Sequence, residues 1–353
     1  MNVLKKLMFM TSVVMVFLLS PNLQAHAYPF EPVDIKGHWA YEELDQFAKA
    51  SLVQGYELSD GRREFRPYQS ITRAEFVAIL NRALDLEKVE GGTDFKDIKG
   101  KWYEESVRTA SSHGLVYGMG ENKFEPNRPI TRAEIASIVI RAMEDSIDFS
   151  KGSAKSFEDV SQHWALDAIN QASKVGIIHG VSTTEFKPNR NANRAESIVM
   201  IKRALDKEQS EAPTEEYLVN LIHQLSEEWT SALETKDYEK LRATQDRTTG
   251  YYEAMQSISI SYDIKEMEDG TSVDYEVTTP KQGHAVHIAN RFADVKITQG
   301  EVERTVTFPY ERNGSNVWTS SISEVGTYRF YKEDGTWKIY AIQSQEEEGL
   351  LLY

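Results

Sequence analysis

The chain has 353 residues, of which 40% are hydrophobic and 27% charged, with a formal net charge of −15 and no cysteine. Such a composition supports two or three packed domains. The acidic balance argues against a broad nucleic-acid surface, which needs a basic face. The lack of cysteine excludes disulfide staples, thiolate nucleophiles and cysteine-held metals.

Residues 1–27 read as a secretory signal peptide. Lys5 and Lys6 form a positive start, Leu7 to Leu19 is apolar apart from Thr11 and Ser12, and Ala25-His26-Ala27 is a small-x-small cleavage site. The apolar stretch is shorter than the ~20 residues of a membrane span. No later segment approaches one, so the mature chain is expected outside the cytoplasm without a membrane span.

Beyond residue 27, self-similarity dominates the first half of the chain. Trp39, Trp102 and Trp164 recur at spacings of 63 and 62 residues. Each is preceded by an acidic lead containing Asp34, Asp97 or Asp159. Each is followed by Phe65-Arg66-Pro67, Phe124-Glu125-Pro126 or Phe186-Lys187-Pro188. The units then reach Ile71-Thr72-Arg73-Ala74-Glu75, Ile130-Thr131-Arg132-Ala133-Glu134 and Ala192-Asn193-Arg194-Ala195-Glu196. The boundaries set by this pattern are 28–88, 89–150 and 151–206, and the first unit carries four extra residues around Glu57 to Arg63. Each unit reads as helix, loop, helix. Phe76, Ile79, Leu80 and Ala83, or Ile135, Ile138, Val139 and Ala142, lie at helical spacing after the motif. Units this small cannot bury such a stripe alone, so the three are expected to share one helical core.

The five-residue motif is a helix start. Thr72, Thr131 and Asn193 fit the N-cap, and Glu75, Glu134 and Glu196 fall at N3, which completes a capping box. The arginine is not explained by capping, because a cation at N1 faces the positive end of the helix dipole. Free N–H groups with a guanidinium make an anion site, which favours carboxylate or phosphate binding at Arg73, Arg132 and Arg194. The alternatives are a solvated side chain or pairing with Asp34, Asp97 or Asp159. Trp39, Trp102 and Trp164 are either core anchors or stacking platforms for a sugar ring. The weight of aromatics in small helical cores favours the first.

The ordered set Phe-x-Asp-Val/Ile, His/Lys-Trp, Gly-x-x-x-Gly, Phe-x-Pro, Thr-Arg-Ala-Glu resembles the S-layer homology domain of Gram-positive bacteria, over about half the chain. The resemblance implies an all-α three-pronged bundle. It also implies binding of secondary cell wall polysaccharide through a terminal pyruvylated N-acetylmannosamine, whose carboxylate the motif arginine holds in grooves between prongs. The candidate carbohydrate-binding residues are therefore Arg73, Arg132, Arg194, Asp34, Asp97, Asp159, Trp39, Trp102 and Trp164. Unit one has Pro32 where the leading Phe belongs, and unit three has Ala192-Asn193, so the grooves need not be equal.

Residues 207–215 read as a polar linker and 216–353 as a separate α+β domain. A long helix is expected through Tyr217, Leu221, Leu225, Trp229 and Leu233, and a short one over Tyr238 to Thr244. Strands are expected at Ser257–Ile264, Ser272–Thr278, Ala285–Ile297, Val302–Tyr310, Gly326–Tyr331 and Thr336–Ile342, with hairpin turns at Asp269-Gly270, Asn313-Gly314 and Asp334-Gly335. Helices followed by a meander suggest a curved antiparallel sheet wrapping the helices. The ending Tyr328-Arg329-Phe330-Tyr331…Gly335-Thr336-Trp337-Lys338-Ile339-Tyr340 resembles the last hairpin of the nuclear-transport-factor-2-like cone. No nucleophile, phosphate-loop or zinc signature is present, and His284 and His287 are poorly spaced for a metal. The expectation is a secreted, wall-anchored protein displaying a non-catalytic C-terminal domain with no cofactor. A wall-tethered enzyme is the alternative.

Overall fold

A computed structural model describes residues 30–312 and 314–344. The signal-peptide reading of residues 1–27 lies outside the described residues.

The repeat region contains α1 (Tyr41–Lys49), α2 (Arg73–Ala83), α3 (Glu104–Ser112), α4 (Arg132–Ala142), α5 (Leu166–Lys174) and α6 (Arg194–Leu205). The second helix of each unit begins in the expected capping box. The Thr72, Thr131 and Asn193 side chains accept from the N3 backbone, and the N3 glutamates reach back. Gly114 and Gly176 end α3 and α5 at φ +70 and +78, a conformation glycine adopts without strain.

Helices pack across units, not within them. The pairs are α2 with α3, α4 with α5, and α6 with α1, so each prong joins the second helix of one unit to the first helix of the next. The last pair links the third unit back to the first and closes a ring. At its centre three backbone bonds run in a circle: Ile71 N–H to Ala192 O (3.2 Å), Ala192 N–H to Ile130 O (2.9 Å) and Ile130 N–H to Ile71 O (3.0 Å). One apolar core runs through all three units. The all-α expectation needs one correction. The extra residues of the first unit form a small hairpin, β1 (Tyr56–Glu57) paired with β2 (Arg63–Glu64).

The C-terminal region contains α7 (Glu215–Thr235), α8 (Tyr238–Ala243), α9 (Gly250–Glu268) and a five-stranded antiparallel sheet. Its strands are β3 (Ser272–Ile288), β4 (Phe292–Arg312), β5 (Ser315–Ser323), β6 (Gly326–Glu333) and β7 (Thr336–Ser344). The order is β3-β4-β6-β7, with β5 on the distal half of β4. The helix-then-sheet plan holds, but several elements differ from the sequence reading. Ser257–Ile264 is helix, within α9. The Ser-Ile alternation there mimics a strand, whereas the buried positions Gln256, Ile260, Ile264 and Met267 follow helical spacing. Asp269-Gly270 accordingly joins α9 to β3 and is not a hairpin. Ser272–Thr278 belongs to one long strand, and the segment expected as a strand at 285–297 spans the turn from β3 to β4. The strand β5 has no counterpart in the sequence reading. Gly314 (φ +82) lies between the paired Arg312 and Ser315, while Asn313 is outside the described residues. Asp334 and Gly335 (φ +48 and +72) form the expected β6–β7 turn. The buried face of α7 is Leu218, Ile222, Leu225, Ala232 and Leu233; it keeps Leu225 and Leu233 of the predicted stripe but takes Leu218 and Ile222 in place of Tyr217 and Leu221, and Tyr217 is exposed.

The segment 207–215 is not a free linker. Asn290 and Arg291, at the β3–β4 turn, hold it by Asn290 N–H to Glu208 O (2.7 Å), Glu211 N–H to Asn290 Oδ1 (2.9 Å) and an Arg291–Glu208 ion pair (3.1 Å). Phe292, Tyr331, Tyr340 and Ala341 complete the core of the helical ring. Phe47 stacks on Phe292 at 6.1 Å, and the Tyr331 hydroxyl donates to Arg82 O at 2.6 Å. The two regions form a continuous body.

Candidate functional site

The alternative pairing of motif arginine with leading aspartate does not occur. Both oxygens of each aspartate accept backbone N–H groups of the same unit's Phe-x-Pro loop. Asp34 holds Phe65 and Arg66 (2.7 Å each), Asp97 holds Phe124 and Glu125 (2.9 and 2.8 Å), and Asp159 holds Phe186 and Lys187 (3.0 and 2.7 Å). These clamps stabilise Arg66, Glu125 and Lys187 at φ +57, +59 and +57, a left-handed conformation unfavourable for non-glycine residues. The loop so shaped aims its carbonyls at a helix start of the neighbouring unit. Pro126, Pro188 and Pro67 accept from Ala74, Ala133 and Ala195 at 3.0, 3.0 and 3.1 Å.

That arrangement overturns the expected anion site at the helix terminus. The N1 and N2 amide groups of α2, α4 and α6 are already spent on carbonyls, and the N3 amide is spent on the cap. The arginines themselves are buried, at 3–4% exposure. Arg73 donates to Phe124 O (3.1 Å), Tyr117 O (3.2 Å) and Glu134 (3.0 Å). Arg132 donates to Phe186 O (2.8 Å), His179 O (2.9 Å) and Glu196 (3.1 Å). Arg194 donates to Phe65 O (2.8 Å) and pairs with Glu75 (3.4 Å). Each guanidinium also sits over the phenylalanine ring whose carbonyl it binds, at 4.6, 4.5 and 5.0 Å. The partner is thus the capping glutamate of the following unit, taken cyclically. Burial pulls Arg132 down to about 10, opposed by the charge of Glu196. For Glu134, burial acts to raise the carboxyl, but Arg128, the Thr131 amide and Arg73 together hold it below its usual range.

The three tryptophans are not core anchors. Trp39, Trp102 and Trp164 are 58, 67 and 67% exposed, and each stands two residues ahead of its helix. His38 and His163 beside two of them brace the turn ahead of the helix, each ring Nδ1 accepting from the backbone N–H of Ala40 or Ala165.

One exposed indole shares a groove with an arginine of another unit. Trp39 of the first unit, Arg132 of the second, and His179, Glu196, Met200 and Arg203 of the third line a groove of about 260 Å³. All three units therefore contribute to one site. Arg203 and His179 were missed by the sequence reading, although a signal existed: Arg82, Arg141 and Arg203 recur nine residues after the motif arginines. Arg82 and Arg141 donate to loop carbonyls just past a first helix, of Leu52 (2.9 Å) and Leu115 (3.0 Å). Arg203 instead reaches His179 Nδ1 at 3.3 Å, at the groove wall. Burial and the Arg203 charge lower the His179 pKa, so this ring stays neutral beside the cation.

Three S-layer homology domains lie in this chain. They match residues 33–77, 94–136 and 156–196. The chain is 34% identical over 179 residues to an exoglucanase of Acetivibrio thermocellus, covering 49% of this chain and 16% of that protein. It is 27% identical over 272 residues to the surface-layer 125 kDa protein of Lysinibacillus sphaericus, covering 75% of this chain and 22% of that one. It is 25% identical over 300 residues to an S-layer protein of Bacillus thuringiensis subsp. finitimus, with 83% and 35% covered. The chain thus spans well under two thirds of each of these relatives. Among solved structures, the intermembrane space region of chloroplast protein ARC6 aligns over 38% of this chain and 98% of that one, at 14% identity. Its TM-score of 0.30 is too low to carry an argument about the C-terminal fold. S-layer homology domains and cell-surface relatives mark this as a repeat-bearing cell-wall and surface protein. No helix among the described residues is long and apolar enough to cross a membrane.

Proposed function

We propose that the protein is secreted and held non-covalently on the Gram-positive cell wall. In this reading the groove of Trp39, Arg132 and Arg203 takes the acidic terminal sugar of secondary cell wall polysaccharide, a pyruvylated N-acetylmannosamine. The observation that carries it is the exposed Trp39 indole lining the same groove as the Arg132 and Arg203 side chains. A sugar ring stacks on an indole face, and a carboxylate is matched by arginine. Arg132 is pre-oriented by its carbonyl and glutamate partners, so little side-chain entropy is lost on binding. Retention on purified wall polysaccharide tests the reading, with Trp39→Ala and Arg203→Ala measured on polymer with and without its pyruvyl groups. Selective loss of binding to the pyruvylated polymer supports it; unchanged retention refutes it.

The C-terminal region is read as a displayed, non-catalytic domain of cone-like plan. Two apolar clusters fill the space between its sheet and helices and support that role. One observation favours the enzymatic alternative. Burial lifts Asp263 on α9 to about 6, with Arg304 opposing the shift, and a carboxylic acid of that pKa suits general acid catalysis near neutrality. Glycosidase assays with Asp263→Asn as control separate the two roles.

A further inference from the structure

The C-terminal sheet has three outer edges, on β3, β5 and β7. Unpaired backbone groups along an edge are a template for another strand, so folds usually close or guard them. Two of the three edges are closed. On β3 the Tyr275 N–H donates to Glu234 Oε1 and the Ala285 N–H to Glu215 Oε2, both at 2.9 Å, from opposite ends of α7. Pro280 and a series of register shifts between Val277 and His287 interrupt the rest of that strand. On β7, Thr248 forms a parallel bridge with Ile339, and the Thr249 N–H donates to Ile339 O at 3.0 Å.

Among the described residues, β5 is guarded only at its start, where the Ser315 hydroxyl bonds the Val317 N–H (3.1 Å) and carbonyl (2.8 Å). The strand pairs with β4 alone. From Ser315 to Ser323 it has no charged side chain, no proline and no glycine, in a chain that is 27% charged. Backbone alternation tells which groups face out. Tyr275 turns its N–H away from β4, so its register partner Arg304 points its backbone groups at β5. Arg304 pairs with Ser320, which therefore bonds β4 and leaves Thr319 and Ser321 facing outward. Trp318 and Ile322, register partners of Val306 and Val302, share the face that packs on α9 but are only partly buried.

We propose that β5 is a self-association edge, on which two copies of this chain pair antiparallel across a two-fold axis and merge their sheets. The axis passes at Ser320. Thr319 of one copy exchanges backbone bonds with Ser321 of the other, and Trp318 lies beside Ile322, an aromatic and β-branched pair on the half-covered face. A register centred on Thr319 keeps the backbone bonds but sets Trp318 against Ser320 and loses that pair. Charge selects this occupant. A charged peptide would be recognised through charges along the edge, and β5 has none. The exposed Glu301 and Glu303 on β4 would repel their copies at close range. Two intervening β5 strands hold the β4 strands three spacings apart, about 14 Å, beyond the screening length of ~8 Å at physiological salt.

The test uses the mature full-length chain. Sedimentation is followed up to about 1 mM, the scale of a weak complex. The expected result is a reversible dimer. Thr319→Pro removes an outward donor but no β4 bond, and Thr319→Lys sets a charge on the edge. Each should raise the dimer dissociation constant at least about tenfold. Circular dichroism checks their folding, and if Thr319→Pro unfolds, Thr319→Lys decides. Because the parent has no cysteine, a single introduced thiol can link only to another copy. Ser320→Cys, paired with itself at the axis, should form a disulfide dimer on mild oxidation, and Glu276→Cys on the guarded β3 edge should not. A chain that stays monomeric over the whole range overturns the proposal. So does a dimer that neither Thr319 variant weakens, or equal cross-linking of the two cysteine variants.

Discussion

Arg132 and Glu196 belong to different repeats and form a buried ion pair of 3.1 Å, with side-chain exposures of 3% and 15%. Glu196 also caps its own helix and binds Arg190. One carboxylate therefore joins helix initiation to ring closure. The same relationship links Arg73 to Glu134 and Arg194 to Glu75.

Removing Arg132 leaves Glu196, Phe186 O and His179 O without their buried donor. Arg132→Ala is expected to destabilise the chain by about 3–5 kcal/mol, the range for breaking one side of a buried pair. Urea denaturation checks it. Wall retention is expected to fall further for Arg132→Ala than for Arg194→Ala, because Arg132 lines the Trp39 groove.

Trp39→Ala separates binding from folding. The indole is 58% exposed, so stability should change by less than about 1 kcal/mol. Retention on wall polysaccharide should drop at least about tenfold, reflecting roughly 1.4 kcal/mol of lost stacking, and Trp39→Phe should recover part of it. A large stability loss would instead assign Trp39 to the core.

Gly250 opens α9 at φ +58, and a β-carbon there would lie 2.1 Å from Lys49 O. Gly250→Ala therefore strikes the seam between the helical ring and the C-terminal domain. It should cost more than about 1 kcal/mol, since the backbone conformation and the space both exclude alanine. Because Phe292 and Tyr340 sit in the ring's own core, the parent chain should melt in one calorimetric transition. Gly250→Ala should split that transition into two.

The Glu134 carboxyl is held below its usual range in the folded chain. The unfolded chain therefore takes up the proton first as pH falls. The stabilisation is full above the ordinary carboxylate range and is lost as pH drops through the lower folded value. The stability gap between the parent and Glu134→Gln should be widest near neutrality and narrow steadily in acid, read from denaturation midpoints across pH.

Sequence alone determined the three units, the helix starts at Thr72, Thr131 and Asn193, and the shared core, because capping and apolar periodicity are local in chain distance. It also exposed the arginines as residues that helix chemistry does not explain. What it could not decide was their partners. Arg194 meets Glu75 across 119 residues, and α6 packs on α1 only because the ring closes. The same limit applied to Trp39, whose exposure depends on where α1 leaves the ring, and to 207–215, which is polar in composition yet pinned by Asn290. In α9 the local signal misled, since Ser257 to Ser261 alternates like a strand while burial on β7 selects the helix. Local propensity set where elements begin. Long-range closure decided which surfaces were spent inside the fold and which groove was left open.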